Sequence, residues 1–125
     1  MIAATGVDLV SIPRLAKVRG RHGERFLRKV FTEDESSECL KRALPDQGLA
    51  GRFAAKEAAL KALGTGWAMG IGWKDVEVRK SDGGRPVLAL HGQAATAAAA
   101  LGVKSTHLSL SHDGDYAVAF VVFEK

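Results

Sequence analysis

Gly51-Arg52-Phe53-Ala54-Ala55-Lys56-Glu57-Ala58-Ala59-Leu60-Lys61-Ala62-Leu63-Gly64-Thr65-Gly66 spells a helix and its stop near the middle of a 125-residue chain. Leu49, Phe53, Leu60 and Leu63 fall near one stripe at the helical period, and five alanines add helix propensity. Gly64 stands just past the last apolar position, where a left-handed residue caps a helix. The same stretch sets one acid among three bases. At i,i+4 spacing Glu57 neighbours Lys61 and Arg52 neighbours Lys56, so a carboxylate and several cations share little surface. That combination suits a metal-bound phosphate, and it equally suits a solvated helix with an ordinary surface ion pair. Gly64, Gly66, Gly70 and Gly72 follow a helix instead of linking a strand to one, so they are not a dinucleotide fingerprint.

On the N-terminal side, Ile2 to Asp8 reads as a first strand that brings a carboxylate to its end. Ser11-Ile12-Pro13 opens a helix with proline in its first turn, and Ile12, Leu15 and Val18 are expected to face inward. Thr32-Glu33-Asp34-Glu35 is a capping box that starts another short helix ending before Pro45. On the C-terminal side, Val76 and Val78 alternate with charged residues, Ser81-Asp82-Gly83-Gly84 turns, and Pro86 to His91 returns, which predicts a hairpin. Gln93 to Leu101 is an alanine-rich helix stopped by Gly102. His107 to Ser111 and Tyr116 to Phe123 close the chain as two strands around Asp113-Gly114. Hairpins mixed with helices predict an α+β domain with a mostly antiparallel sheet, residues 1–125 forming one unit without internal repeats.

Composition narrows the function. The chain is 46% hydrophobic, enough for one core, and no apolar run approaches the ~20 residues that span a bilayer. Met1 to Gly6 lacks the basic segment and apolar core of a signal peptide, so a cytoplasmic location is the expectation. Cys39 is the single cysteine, with no activating motif around it, and reads as a passive thiol. The net charge is +4, and Arg14, Lys17, Arg19, Arg21, Arg25, Arg28 and Lys29 crowd the first quarter with Glu24 as their one acidic neighbour. Such a patch suits an anionic partner: nucleic acid, an acidic protein or an anionic membrane.

Ser111-His112-Asp113 is no hydrolase triad, because adjacent strand residues point to opposite faces. His112 is then either a phosphate donor or a plain turn residue. His22, His91, His107 and Cys39 have no zinc-ligand spacing. Asp8 and Glu57 differ in kind, since two carboxylates from separate elements can hold Mg²⁺, which takes one or two carboxylates plus waters and substrate phosphates.

Gly6-Val7-Asp8, Phe31-Thr32-Glu33, the block from Gly51 to Gly66, Gly84-Arg85-Pro86 and Ser109-Leu110-Ser111-His112 occur in the order found in holo-acyl-carrier-protein synthases. The chain resembles that family of small 4′-phosphopantetheinyl transferases along essentially its whole length. The resemblance implies transfer of 4′-phosphopantetheine from coenzyme A to a serine of apo acyl carrier protein, with release of adenosine 3′,5′-bisphosphate. It implies Asp8 and Glu57 as Mg²⁺ ligands and Lys61 as a stabiliser of the same phosphates. Arg52, Lys56, Gly64, Thr65, Gly66, Arg85, Pro86 and His112 resemble the coenzyme-binding parts. Arg14, Arg21, Arg25 and Arg28 would receive the acidic carrier. Having one such unit, the chain is similar to short members that form trimers with sites at subunit interfaces. Two other readings are a basic nucleic-acid-binding module without catalysis and a coenzyme A binder that has lost it. The sparse aromatics form no stacking platform for the first, and intact Asp8, Glu57 and Lys61 speak against the second.

Overall fold

In a computed structural model describing residues 1–66 and 69–125, the chain leaves Met1 as a ten-residue strand, β1 (Ile2–Ser11). Exposed Thr5, Val7 and Leu9 alternate with the inward-facing Gly6, Asp8 and Val10. Ser11 ends the strand, its hydroxyl accepting the Arg14 N–H at 3.3 Å to cap α1 (Ile12–His22). Gly23, at φ 50°, breaks the chain into a second helix, α2 (Glu24–Val30), which goes beyond the sequence reading. Leu15 is the buried residue of α1, whereas Val18 is 37% exposed. The expected inward position of Val18 is therefore corrected: it stands at the rim of a cleft between α1 and β1.

The capping box forms as expected. Thr32 Oγ1 accepts the Glu35 N–H at 3.2 Å, Glu35 Oε1 accepts the Thr32 N–H at 2.9 Å, and α3 runs over Glu33–Leu40. The long helix α4 (Pro45–Leu63) ends at Gly64, whose φ of 74° is left-handed and whose N–H bonds back to Leu60 and Lys61. It carries no solvated face of ordinary width. Ala50, Ala54, Ala55, Ala58, Ala59 and Ala62 are all buried with Leu49, Leu60 and Leu63, because other elements cover the helix on most sides. β1 approaches it most closely, at Gly6. A Cβ there would stand 1.9 Å from the Ala58 carbonyl oxygen, so only glycine lets strand and helix meet backbone to backbone.

A short 3₁₀ turn, Trp73–Asp75, leads into the hairpin β2 (Val76–Lys80) and β3 (Pro86–Leu90), then α5 (Gly92–Ala100), β4 (Ser105–Asp113) and β5 (Tyr116–Glu124). His91, expected at the end of β3, precedes α5 as its cap residue. The fold is the expected single α+β domain, and among the described residues every strand pairs antiparallel. Its strands divide into two sheets: β1-β5-β4, and the hairpin β2-β3. β5 is central in the larger sheet, pairing Ala119 with Asp8 on one side and Leu110 on the other. Cys39 is buried between α3 and the N-terminal half of α4, and burial pushes its thiol up, in keeping with a passive role.

Glu77 of β2 is 4% exposed and has three side-chain partners. It accepts from Thr32 Oγ1 at 2.8 Å and Arg79 Nε at 3.0 Å, and lies 3.0 Å from His91 Nε2. Burial pushes its carboxyl up, but the bonds from His91, Thr32 and Arg79 outweigh burial and hold it below the usual 4.5. A carboxyl depressed on folding adds stability above its unfolded pKa and loses it as pH falls through the folded value. Glu77→Gln is therefore expected to cost about 1 kcal/mol, or ~4 °C in Tm, at neutral pH. Melting curves should converge with those of the parent as the medium is acidified below the ordinary glutamate range.

Candidate functional site

Alternation along β1 turns Asp8 toward α4, and the Gly6–Ala58 contact sets the distance between strand and helix. Asp8 and Glu57 consequently line one cleft of about 330 Å³, together with Leu9, Ser11, Arg14 and Phe53. Lys61, one turn beyond Glu57, donates to Asp8 Oδ1 at 3.0 Å and to the Val7 carbonyl at 3.0 Å. The Glu57–Lys61 neighbourhood inferred from spacing thus becomes a three-residue group, because β1 supplies the second carboxylate. Asp8 is 18% exposed and Lys61 57%, so ligands can reach the pair from solvent. Gly64, Thr65 and Gly66 follow directly at the same end of α4, where the Thr65 hydroxyl bonds the Gly66 carbonyl at 3.1 Å.

The donor set fits a hard divalent cation. Two carboxylates share a cleft with room for other ligands, and among the described residues no three His, Cys, Asp or Glu side chains converge into a protein-only cage. A cation held by Asp8 and Glu57 must complete its shell with water and substrate oxygens, the habit of Mg²⁺ rather than of structural zinc.

Arg52 and His112 meet elsewhere. They line a smaller cleft of about 120 Å³ with Arg42 and Gln47, where Gln47 Nε2 lies 3.3 Å from His112 Nδ1. Arg52 is 4% exposed, and its Nε is buried without a hydrogen-bond partner while Nη1 donates to the Gly48 carbonyl at 3.4 Å. A buried guanidinium N–H left unbonded is costly, and an anion in this cleft would relieve it. Arg42 and Gln47 escaped the sequence reading, since nothing local distinguishes them from surface residues of a helix boundary. Asp8, Glu57 and Lys61 flank β1, whereas Arg52 and His112 flank β4, and these strands are opposite edges of one sheet. The two clefts therefore lie at opposite edges of the larger sheet, with β5 between them.

The remaining candidates divide clearly. Lys56 is fully buried, and its ammonium donates to Glu35 Oε1 at 2.8 Å, to Trp73 O at 3.1 Å and to Val76 O. Desolvation pulls its pKa below the ordinary lysine value, against the opposing pull of Glu35. With three acceptors for three N–H groups, the ammonium of this expected coenzyme-binding residue is fully engaged within the fold. Arg85 and Pro86 sit at the β2–β3 turn and the start of β3 and line neither cleft. Arg14, Arg21, Arg25 and Arg28 are exposed along α1 and α2, with Arg14 at the mouth of the carboxylate cleft. Arg19 is drawn off into a bidentate pair with Asp46 at 2.6 and 3.2 Å, which ties α1 to the first turn of α4 and raises the Arg19 pKa.

Comparison with known proteins gives a consistent answer. The family model of the 4′-phosphopantetheinyl transferase superfamily matches residues 4–121. The chain is 48% identical over 124 residues to the holo-[acyl-carrier-protein] synthase of Koribacter versatilis, covering 99% of both chains. It is 49% identical over 127 residues to that of Alkalilimnicola ehrlichii, covering 99% of this chain and 98% of the relative. Among solved structures, the holo-[acyl-carrier-protein] synthase of Neisseria meningitidis superposes with a TM-score of 0.90 at 32% identity, each chain covered in full. The Helicobacter pylori enzyme in complex with coenzyme A gives 0.84 at 31% identity, over 96% of this chain and 99% of that one.

Proposed function

Because this chain belongs to the 4′-phosphopantetheinyl transferase superfamily, and within it to the holo-acyl-carrier-protein synthases, we propose that it transfers 4′-phosphopantetheine from coenzyme A to a serine of apo acyl carrier protein. The observation that supports this site is that Asp8 and Glu57 line one cleft with Arg14 of the basic helix α1, while Lys61 donates to Asp8 at 3.0 Å. In the reaction the serine oxygen bonds to the phosphorus bearing pantetheine. The bond from that phosphorus to the bridging oxygen breaks, adenosine 3′,5′-bisphosphate leaves with the electron pair, and the serine proton passes to solvent or a basic group.

Asp8 and Glu57 would hold Mg²⁺. Bound there, the ion would neutralise the pyrophosphate and the charge growing on the leaving group. Lys61, held by Asp8 and Val7 O, presents an ammonium that does not have to be repositioned as that charge develops. Gly64, Thr65 and Gly66 let the coenzyme come close to backbone, and Arg52 with His112 would take a phosphate in the smaller cleft.

A homotrimer explains the two clefts, since the β1 edge of one chain facing the β4 edge of the next would complete a site at each boundary. The outer face of the larger sheet supports association, with Val7, Leu9, Tyr116 and Phe120 between 46% and 62% exposed. In such an assembly Arg85 and Pro86 would meet the coenzyme across a boundary. The acidic carrier would approach along α1 and α2, the cytoplasm would be the working compartment, and fatty-acid or polyketide synthesis would use the product.

The decisive experiment is intact-mass analysis of an apo carrier after incubation with this protein, coenzyme A and Mg²⁺, beside a chelator control. A metal-dependent gain of one phosphopantetheine is expected. No gain with several carriers, from a folded protein that binds coenzyme A, would leave only the binder. Arg14→Glu is expected to raise KM for the carrier about tenfold at low salt with little change for coenzyme A, because it reverses one docking charge. Equal effects on both KM values would remove Arg14 from the docking surface.

A further inference from the structure

Lys56 has three features that catalysis does not use. Its ammonium is fully buried; its three bonds go to three different elements, namely Glu35 of α3, Trp73 O of the 3₁₀ turn and Val76 O of β2; and it directly precedes Glu57 in the chain. Glu35 is as completely engaged. Its Oε1 accepts both Lys56 and the Thr32 N–H, and its Oε2 accepts the Val78 N–H at 2.8 Å. Phe31 lies beside the pair, its ring centroid 5.7 Å from Lys56 Nζ. Phe31, Thr32 and Glu35, a segment for which the transfer reaction has no direct use, thus build a closed socket for one amine.

We propose that Lys56, seated in this socket, is a positioning residue that fixes the rotation of α4 so that Glu57 faces Asp8 across the cleft. The alanines explain why a peg is needed. Ala54, Ala55, Ala58, Ala59 and Ala62 leave Leu60 and Leu63 as the large buried apolar side chains in the C-terminal half of α4, so steric interlocking against rotation about the axis falls on few residues. A directional bond network resists it well. Successive helical residues stand about 100° apart, so anchoring Lys56 toward α3 and β2 sends Glu57 round toward β1. The socket also explains why two adjacent charged residues have opposite fates, one sequestered and one lining the cleft. Buried polar pairs contribute little net stability for their desolvation cost, and fixing one arrangement among near-equals is the best-attested use of such a pair.

The inference rests on Glu57 being a cation ligand, and the test separates the two claims. Mn²⁺ serves as the probe, its binding to the protein with coenzyme A present being read from the loss of the free-ion electron paramagnetic resonance signal. Coenzyme A binding without divalent ions is measured in parallel by calorimetry, with far-UV circular dichroism to establish folding. Glu57→Gln examines the cation assignment alone; if it binds Mn²⁺ as the parent does, that assignment fails whatever Lys56 does. Lys56→Met and the milder Glu35→Gln examine the socket. In folded variants, Mn²⁺ affinity is expected to fall at least tenfold for Lys56→Met and less for Glu35→Gln, kcat to recover in part at high Mg²⁺, and metal-free coenzyme A affinity to stay within twofold. Unchanged Mn²⁺ affinity in both would overturn the proposal. So would a loss confined to metal-free coenzyme A binding, which would mark Lys56 as a phosphate ligand, and so would failure of both variants to fold, which would mark the pair as a stability element.

Discussion

Glu57→Gln is expected to lower kcat for phosphopantetheine transfer by at least a thousandfold while leaving the thermal midpoint within a degree or two of the parent. The substitution keeps volume and shape, and Glu57 is half-buried at the wall of a cleft, so packing changes little. What it removes is one of two formal charges available to a divalent cation. Loss of a metal's stabilisation of phosphoryl charge is worth several kcal/mol, and each ~1.4 kcal/mol is tenfold in rate. Single-turnover formation of holo carrier, followed by intact mass across a Mg²⁺ titration, reads the effect. Near-parental turnover at ordinary Mg²⁺ would remove Glu57 from the metal site. A partial return at very high Mg²⁺ would fit a weakened site still held by Asp8.

Gly6→Ala is expected to be the most damaging substitution of a residue that takes no part in the chemistry. The new methyl would lie 1.9 Å from the Ala58 carbonyl oxygen and 3.1 Å from the Ala62 nitrogen, both backbone atoms of α4 that no side-chain rotation can move aside. Strand and helix must separate. Overpacking of this kind costs about 3 kcal/mol or more, a large share of the ~5–15 kcal/mol that holds a domain together. The functional cost is expected to exceed the loss of folded protein. Asp8 is two residues further along β1 and is bonded to Lys61 of the helix being pushed away. A displacement near 1 Å at a reacting centre costs on the order of a hundredfold. Activity should therefore be measured at low temperature, where circular dichroism shows the variant folded, and specific activity per folded molecule should still fall by about that factor. A variant as stable and as active as the parent would mean that β1 and α4 are not in backbone contact.

Much of the architecture is readable in local sequence because local interactions decide it. Thr32 and Glu35 satisfy each other's backbone N–H groups within one turn, so the start of α3 needs no distant partner to be recognised. Gly64 ends α4 by its own left-handed conformation, and Asp113-Gly114 closes the β4–β5 hairpin. What was missed turns on distant partners. Val18 reads as apolar and inward by period, yet it stays 37% exposed at the edge of a cleft, and only the placement of α1 over β1 reveals this. Arg42 and Gln47 join Arg52 and His112 because the segment after α3, the helix α4 and the strand β4 meet there, a coincidence invisible in any window of sequence.

Lys56, Glu57 and Lys61 draw the line most sharply. Residue types and order were enough to mark all three as charged members of one helix and, with Gly6-Val7-Asp8 upstream, to identify the family. Three-dimensional packing assigned them separate tasks: Lys56 to a buried socket, Glu57 to the cleft, Lys61 to Asp8. The reason is physical. Helix geometry is set by bonds four residues long, but whether a charge is buried, paired or exposed depends on which elements pack against it. Those elements here come from 17 to 54 residues away along the chain.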